Sequence, residues 1–185
     1  MPGSKYALRL ATPADAEAIS ALIACSARKL SVHDYSAAQI EGALQGAFGV
    51  DTQLIRDGTY FVVEDGAQVV GCGGWSRRRT LFGGDARPDR DAAELDPRVD
   101  AAKIRAFFVH PDFARCGIGT AILERCERDA QAHGFTRFEL LSTLPGVRLY
   151  AARGYVAGEA IQWTLPGGLT IEFVPMTRRA ASVAT

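Results

Sequence analysis

The chain has 185 residues, 48% hydrophobic and 23% charged, a size and composition that fit one compact domain with a sizeable core. Its 21 basic and 21 acidic side chains balance, so net charge gives no support for binding to nucleic acid or to a membrane surface. No apolar run approaches the roughly 20 residues of a membrane helix, and the N-terminal residues do not resemble an export signal. We therefore expect a cytoplasmic protein.

The first half of the chain predicts a strand, two helices and a hairpin. A Thr12-Pro13 cap follows a strand at residues 6–10, and a serine cap at Ser36 begins the second helix. The Asp65-Gly66 pair indicates a tight turn between two β-rich runs. The predicted ranges are a strand at 6–10, helices at 14–27 and 36–48, and strands at 60–64 and 68–75.

Residues 76–100 lose all periodicity and are rich in arginine, glycine, proline and aspartate. Structureless connections of this length are uncommon in compact domains and are often functional, so we expect a substrate-side loop. Its arginines could meet a phosphate or an acidic acceptor, and its acids could attract a cationic amine, although a solvated loop explains both sets equally well. The arginines are Arg77, Arg78 and Arg79, and the acids are Asp85, Asp89, Asp91, Glu94 and Asp96.

The second half predicts strand, loop, helix, strand, short helix and a closing hairpin. The predicted strands are 104–109 and 137–141, the predicted helices are 117–133 and 146–153, and the closing hairpin pairs 155–165 with 169–176. Strands on either side of a helix imply at least one parallel, right-handed crossover in an otherwise largely antiparallel sheet.

Gly117 and Gly119 fall between the end of a predicted strand and the start of a predicted helix. A helix start has unpaired N–H groups and a positive dipole end, and glycine lets an anion approach the backbone, so a pyrophosphate would fit. Tight strand-to-helix packing would also explain the glycines. A P-loop is excluded because Thr120-Ala121 follows Gly119, and a dinucleotide fingerprint is excluded because its third glycine would fall at or next to Leu123.

Two stretches together resemble one family. Residues 107–123 read FFVHPDFARCGIGTAIL and residues 149–155 read LYAARGY, which are similar to the coenzyme A signature and the later Leu-Tyr segment of the GNAT (GCN5-related) N-acetyltransferases. The resemblance implies an α/β (α+β) fold, with a mixed, mostly antiparallel sheet of six to seven strands, about four helices and a parallel splayed strand pair at the cofactor site. It implies one domain over residues 4–177 and a frayed tail at 178–185.

The resemblance also implies acetyl-CoA as co-substrate, with its pyrophosphate on the loop and its pantetheine arm along the preceding strand. The implied cofactor-binding residues are Phe107, Phe108, Val109, Ala114, Arg115, Cys116, Gly117, Ile118, Gly119 and Thr120. Two positions depart from the family. Ala114 stands where arginine or glutamine is usual, and residues 142–146 replace the usual asparagine.

Tyr150 is the implied catalytic residue, a phenol that would protonate the leaving thiolate. No general base is evident, since residues 103–109 contain no acid and neither His33 nor His110 is assigned a role. The four cysteines, Cys25, Cys72, Cys116 and Cys126, are widely spaced without CxxC pairs, so we expect free thiols and no metal site.

The expected function is direct transfer of an acetyl group from acetyl-CoA to an amine, either a small molecule or a peptide. One alternative is a non-catalytic acyl-CoA sensor, and another is an acyltransferase that uses a different acyl group. The expected partner is an amine acceptor of unknown identity, with a homodimer possible and neither nucleic acid nor membrane involved.

Overall fold

The strands of the protein form one sheet, seen in a computed structural model that describes residues 5–86 and 91–180. Within these residues the sheet has eight strands in the order β1-β2-β3-β4-β5-β8-β6, and β7 also pairs with β8. The strands are β1 (Ala7–Leu10), β2 (Tyr60–Asp65), β3 (Gln68–Ser76), β4 (Ala102–Val109), β5 (Arg137–Thr143), β6 (Val156–Ala157), β7 (Ile161–Thr164) and β8 (Thr170–Arg179). The helices are α1 (Ala16–Leu30), α2 (Ala37–Ala43), α3 (Thr52–Arg56), α4 (Ile118–Ala132) and α5 (Val147–Ala152).

One strand pair is parallel, and it separates soon after it begins. β4 and β5 pair only at Ala102 with Phe138 and at Lys103 with Glu139, although both strands continue well beyond these residues. The other named pairs are antiparallel, and α4 makes the crossover between β4 and β5. The expected mixed sheet with a parallel splayed pair is therefore confirmed.

Helices cover both faces of the sheet. On one face, α4 buries an apolar stripe that includes Ile118, Ile122 and Cys126. These side chains form a hydrophobic cluster that also contains Tyr150 of α5. On the other face α1 and α2 bury a second cluster, which includes Ile23 and Ile40. The two clusters are thus separated by the sheet, in a three-layer arrangement.

β4 contains a bulge close to the point where the splay begins. Phe108 lies opposite Cys72 and Arg105 opposite Gly74, so three residues of β4 span two of β3. Ala106 has a φ of 60°, in the left-handed region that residues with a Cβ rarely adopt. The ring of Phe107 lies so close to Gly73 that a Cβ there would be 2.7 Å from it.

The second helix is shorter than the sequence predicts. Ser36 caps α2 as expected, with Gln39 N–H donating to Ser36 Oγ at 3.2 Å. The helix ends at Ala43, not at residue 48, and the following turn buries Phe48 to 6% exposure. The short helix α3, which the pattern does not predict, follows with Asp51 as its cap.

Two expectations near the C-terminus are also corrected. The predicted strand at 155–165 is two strands, β6 and β7. The pairing is interrupted at Pro175 of β8, because proline has no N–H to donate to a neighbouring strand. Only the Pro175 carbonyl is used there, as the acceptor for Gly158 N–H. β8 continues to Arg179, so the tail does not begin at 178. Residues 181–185 of the predicted tail lie outside the described residues.

Candidate active site

A cavity of about 240 Å³ lies between the diverging strands β4 and β5. Residues of α1, of the segment that follows α2, of segment 76–100, of β8, of α4, of α5 and of the turn before α5 also line it. It contains five of the residues predicted from sequence, namely Phe107, Phe108, Val109, Gly119 and Tyr150. The splay of the parallel pair is thus the feature that creates the site.

The loop before α4 adjoins the cavity at Gly119. Arg115 and Gly117 have positive φ values of 67° and 81°, which turn the chain sharply into the helix. The first hydrogen bond of α4 runs from Ala121 N–H to the Gly117 carbonyl at 2.9 Å, so the helix does not use the N–H groups of residues 118–120. Such a helix start suits an anion, as the sequence predicted.

The remaining predicted binding residues lie in this loop and do not line the cavity. Arg115, Cys116 and Gly117 are exposed. Ile118 is 3% exposed, so only its backbone faces the helix start while its side chain packs in the core. Because Gly119 belongs both to the start of α4 and to the cavity lining, the loop and the cavity adjoin each other.

The two glycines of the loop are required for different reasons. Gly117 needs its positive φ, and a Cβ on it would meet nothing within 4 Å. A Cβ on Gly119 would lie 3.0 Å from Leu149 Cδ2 and 3.8 Å from Val109 Cγ2. The Cβ direction of Gly119 therefore points to α5 and β4, which favours the packing explanation for this glycine.

The segment that departs from the family pattern also lines the cavity. Ser142, Thr143, Pro145 and Gly146 all contribute to the lining. Tyr35 fixes the backbone of Leu144, which lies within this segment. Leu144 N–H donates to the Tyr35 hydroxyl at 2.9 Å, and that hydroxyl donates to the Glu172 carbonyl at 2.6 Å. Burial raises the pKa of Tyr35 to about 12, so this bridge keeps its proton at neutral pH.

Tyr150 lies in the cavity lining, on α5. It is 7% exposed, and its ring packs edge-on against Phe107 and Tyr155 with centroids 6.1 and 5.7 Å away. Burial raises the pKa of its phenol well above the ordinary value of 10.0. The group therefore stays protonated at neutral pH, as a proton donor must.

The described residues of the lining include no aspartate, glutamate or histidine. His33 is exposed, and His110 caps a turn by accepting a hydrogen bond from Asp112 N–H at 3.3 Å. The described cavity wall therefore offers no carboxylate or imidazole side chain as a general base.

Among the described residues that line the cavity, Arg105 is the one with a charged side chain, and it is 5% exposed. Its guanidinium lies 2.6 Å from the carboxylate of Asp51, which is fully buried, and it donates to the Thr80 carbonyl at 2.7 Å. These contacts compensate a charge that would otherwise be costly to bury.

The segment 76–100 contributes to the site through apolar residues, not through its charges. Phe82 and Gly83 line the cavity, whereas Arg78 pairs with Asp57 at 2.7 Å and Arg77 approaches Glu94 at 3.5 Å. Asp89 lies outside the described residues. A phenylalanine beside two glycines in a polar loop is the signal that could have identified Phe82.

The sequence also led to expectations about metals, thiols and membranes. The four cysteines are free thiols. Across residues 5–86 and 91–180, no group of three or more potential metal-ligating side chains occurs. Over the same residues, no helix combines the length and the apolar character needed to span a bilayer.

Comparison with known proteins gives a family match. The model of the acetyltransferase (GNAT) family matches residues 28–155. No curated protein matches the chain by sequence.

Solved structures share the fold at low sequence identity. The GCN5-related N-acetyltransferase described as aminotransferase, class-II, from Rhodopseudomonas palustris is 22% identical, with a TM-score of 0.70 over 97% of this chain and 98% of its own. The PaiA N-acetyltransferase of Thermoplasma acidophilum, in complex with coenzyme A, is 12% identical, with a TM-score of 0.64 and coverages of 94% and 98%. YncA of Salmonella typhimurium, a putative acetyltransferase with its cofactor acetyl-CoA, is 15% identical, with a TM-score of 0.61 and 98% coverage of both chains.

Proposed function

The chain belongs to the acetyltransferase (GNAT) family, and we propose that it transfers an acetyl group from acetyl-CoA to an amine by direct attack. The observation that carries this proposal is that the loop before α4 adjoins a cavity that contains a buried, protonated phenol. A phosphate cradle, a channel for a thioester and a proton donor are the three parts that such a transfer needs.

The cradle fits the pyrophosphate of coenzyme A. Residues 118–120 offer N–H groups that α4 does not use, and the positive φ of Gly117 gives a backbone surface that a Cβ would strain. The first departure from the family pattern, Ala114, does not weaken this fit, because the contacts would come from backbone groups. When bound, the coenzyme supplies the activated acetyl group.

The strand before the cradle would orient the thioester. β4 leaves its parallel partner after Lys103, so its later backbone groups do not pair with β5. Phe107, Phe108 and Val109 lie in this part of β4 and line the cavity. An extended pantetheine arm could therefore take the place of the missing strand.

Tyr150 is proposed as the general acid. Its phenol would protonate the sulfur as the carbon–sulfur bond breaks, and the proton that the amine nitrogen loses would restore it through water. The described lining holds no carboxylate or imidazole to act as a base, so the amine would have to arrive in its neutral form.

A turnover assay tests the proposal. The protein is mixed with acetyl-CoA and a panel of amines, and release of the free coenzyme A thiol is followed together with the mass of the acetylated product. Acetylated amine is expected.

Two other outcomes would replace the proposal. Tight binding of acetyl-CoA without turnover of any amine would indicate a sensor. Faster transfer from a longer acyl-CoA would indicate a different acyl donor.

A further inference from the structure

Part of the cavity lining consists of four aromatic rings, here called the aromatic wall: Phe48, Phe82, Phe108 and Phe173. Phe48 packs edge-on against Phe108 and Phe173, with centroids 5.7 and 6.2 Å away. Phe82 lies 5.7 Å from Phe173. Four separate segments of the chain thus converge on one apolar surface.

Backbone contacts hold the aromatic wall in place. Gly84 N–H donates to the Gly46 carbonyl at 3.2 Å, and Asp85 N–H donates to the Val50 carbonyl at 2.9 Å. Gly84 and Gly49 approach so closely that a Cβ on Gly84 would be 2.7 Å from Gly49. Phe82 is therefore fixed against the turn that carries Phe48, and the wall is preformed.

Trp163 of β7 supports Phe82 from behind, with ring centroids 4.8 Å apart and planes at 90°. Edge-to-face packing of this kind favours a defined ring position. The wall therefore has a fixed shape, which is what a specificity pocket for a compact apolar group requires.

The charges around the aromatic wall do not favour a cation. Two acids of the described part of segment 76–100 have partners outside the cavity lining: Asp85 accepts from Thr52 N–H at 3.0 Å, and Asp96 pairs with Arg98 at 2.7 Å. The one charged group of the described lining is the cation Arg105. The other polar lining side chains are the neutral hydroxyls Ser26, Ser31, Ser142, Thr143 and Tyr150.

We propose that the acceptor is a primary amine that carries one aromatic or branched apolar group, held against the aromatic wall. The inference rests on the proposed function and names the substrate class for the same site. Polyamines and lysine side chains of peptides would bring a charge or long polar chain that the wall cannot compensate.

The same surroundings explain how transfer proceeds without a base in the lining. Burial in an apolar cavity disfavours the ammonium form of an amine, and the described lining offers no carboxylate to stabilise that form. The neutral nitrogen forms the new bond to the acetyl carbon and loses one proton, while the sulfur leaves and gains one. Acetyl-CoA and the amine thus give the amide and coenzyme A, with no other reactant.

The first arm of the test compares acceptors of similar basicity. Values of kcat/KM are measured for 2-phenylethylamine, 3-methylbutylamine, 1,4-diaminobutane and a lysine-containing peptide. The two apolar amines should exceed the other two by at least about tenfold, the discrimination that a pocket gains from a small difference in apolar contact. An equal or better rate for the diamine or the peptide would overturn the inference and leave the acetyltransferase activity intact.

The second arm changes the wall. Phe82→Ala should raise the KM for 2-phenylethylamine about tenfold or more, through loss of one ring's contact, while Phe82→Leu should have a smaller effect. Leu169→Ala is the matched control, because Leu169 is 43% exposed and lies outside the cavity. An unchanged affinity for coenzyme A shows that each variant is folded, and an unchanged preference in Phe82→Ala would contradict the inference.

Calorimetry separates this inference from the proposed function. Binding of 2-phenylethylamine, but not of 1,4-diaminobutane, to the coenzyme A complex would support the aromatic wall even if no amine were turned over. Turnover of the diamine alone would support the function and exclude the wall as its acceptor site.

Discussion

Phe107 packs the edge of its ring against the ring of Tyr150, with centroids 6.1 Å apart and planes inclined by 64°. The contact ties the strand proposed to orient the thioester to the residue proposed to protonate its sulfur. Because Phe107 also covers Gly73, whose missing Cβ makes the space, its ring position is set by the sheet. The acid and the thioester would therefore be placed relative to each other by one aromatic contact.

Replacement of Tyr150 with phenylalanine keeps this contact and removes the proton. We expect kcat to fall by about 10² to 10⁴, the usual contribution of general acid catalysis, while the affinity for acetyl-CoA changes by less than roughly 1 kcal/mol. Steady-state kinetics and calorimetry measure the two effects. A thioester with a more acidic thiol should show a smaller loss.

Tyr155→Phe is the matched control for Tyr150→Phe. Its phenol donates to Glu127 at 2.9 Å and does not line the cavity, so its loss should lower stability and not kcat. A wild-type kcat for Tyr150→Phe, under conditions where chemistry limits the rate, would leave Tyr150 as a packing residue only.

Acetyl-CoA should stabilise the folded protein against heat, since a ligand that binds only the native state shifts unfolding by mass action. At a concentration 100 times its Kd the gain is about 2.7 kcal/mol, which corresponds to a rise of roughly 5 to 10 °C for a chain of this size. NAD and ATP at the same concentration should give much less in the same thermal scan. A larger shift with NAD would argue against a coenzyme A site.

Substitutions at the two loop glycines should have separable effects. Gly119→Val must displace Leu149, which lines the cavity, and we expect it to weaken coenzyme A binding by about 1 to 3 kcal/mol. Gly117→Ala meets no neighbour but takes a left-handed conformation, at a cost to folding of roughly 1 kcal/mol. Calorimetry on folded variants decides, and an unchanged affinity in Gly119→Val would show that the contact of α4 with Leu149 does not shape the coenzyme A site.

Acid should destabilise the protein partly through Asp15. Hydrogen bonds from Arg9, with Arg9 Nη2 2.8 Å from one Asp15 oxygen, hold the pKa of this carboxyl well below its ordinary value of 3.8. Asp15 therefore adds stability at neutral pH, and this contribution is lost as the pH falls below about 4 toward the lower folded-state pKa. Denaturant unfolding between pH 6 and 3 should show a shallower decline for Asp15→Asn. Parallel curves would exclude this role.

Local signals in the sequence were enough to predict the frame of the site. The glycine pair predicted the start of α4, and the alternation of strand, helix and strand predicted the parallel pair β4–β5. The capping serine at Ser36 was also confirmed, and a tight turn joins β2 to β3 as predicted, although its two residues are Gly66 and Ala67 because Asp65 still belongs to β2. Each of these depends on residues close together in the chain, where backbone preferences decide the outcome.

The acceptor side of the cavity depends on contacts between distant segments and was not predicted. Phe48 belonged to a helix in the sequence pattern, yet burial against Phe108 and Phe173 accompanies the early end of α2. Phe82 lines the cavity because Gly84 and Gly49 approach each other closely, a contact between distant segments that no local sequence pattern indicates. Tertiary packing outweighs local preference at both places.

Because Ala106 is an extra residue in β4, the alternation of side chains between the two faces of the sheet shifts by one position there. Ala102 and Ile104 share a core with Phe107 and Val109, so even-numbered positions face that core before the bulge and odd-numbered positions face it afterwards. Deleting Ala106 would restore a single parity and leave Phe107 on the same face as Ile104, whereas a β4 that kept all its residues but lost the bulge would place Phe107 in the opposite layer, away from Tyr150. A substitution at Ala106 does not change the number of residues in β4, and glycine would adopt the positive φ with less strain.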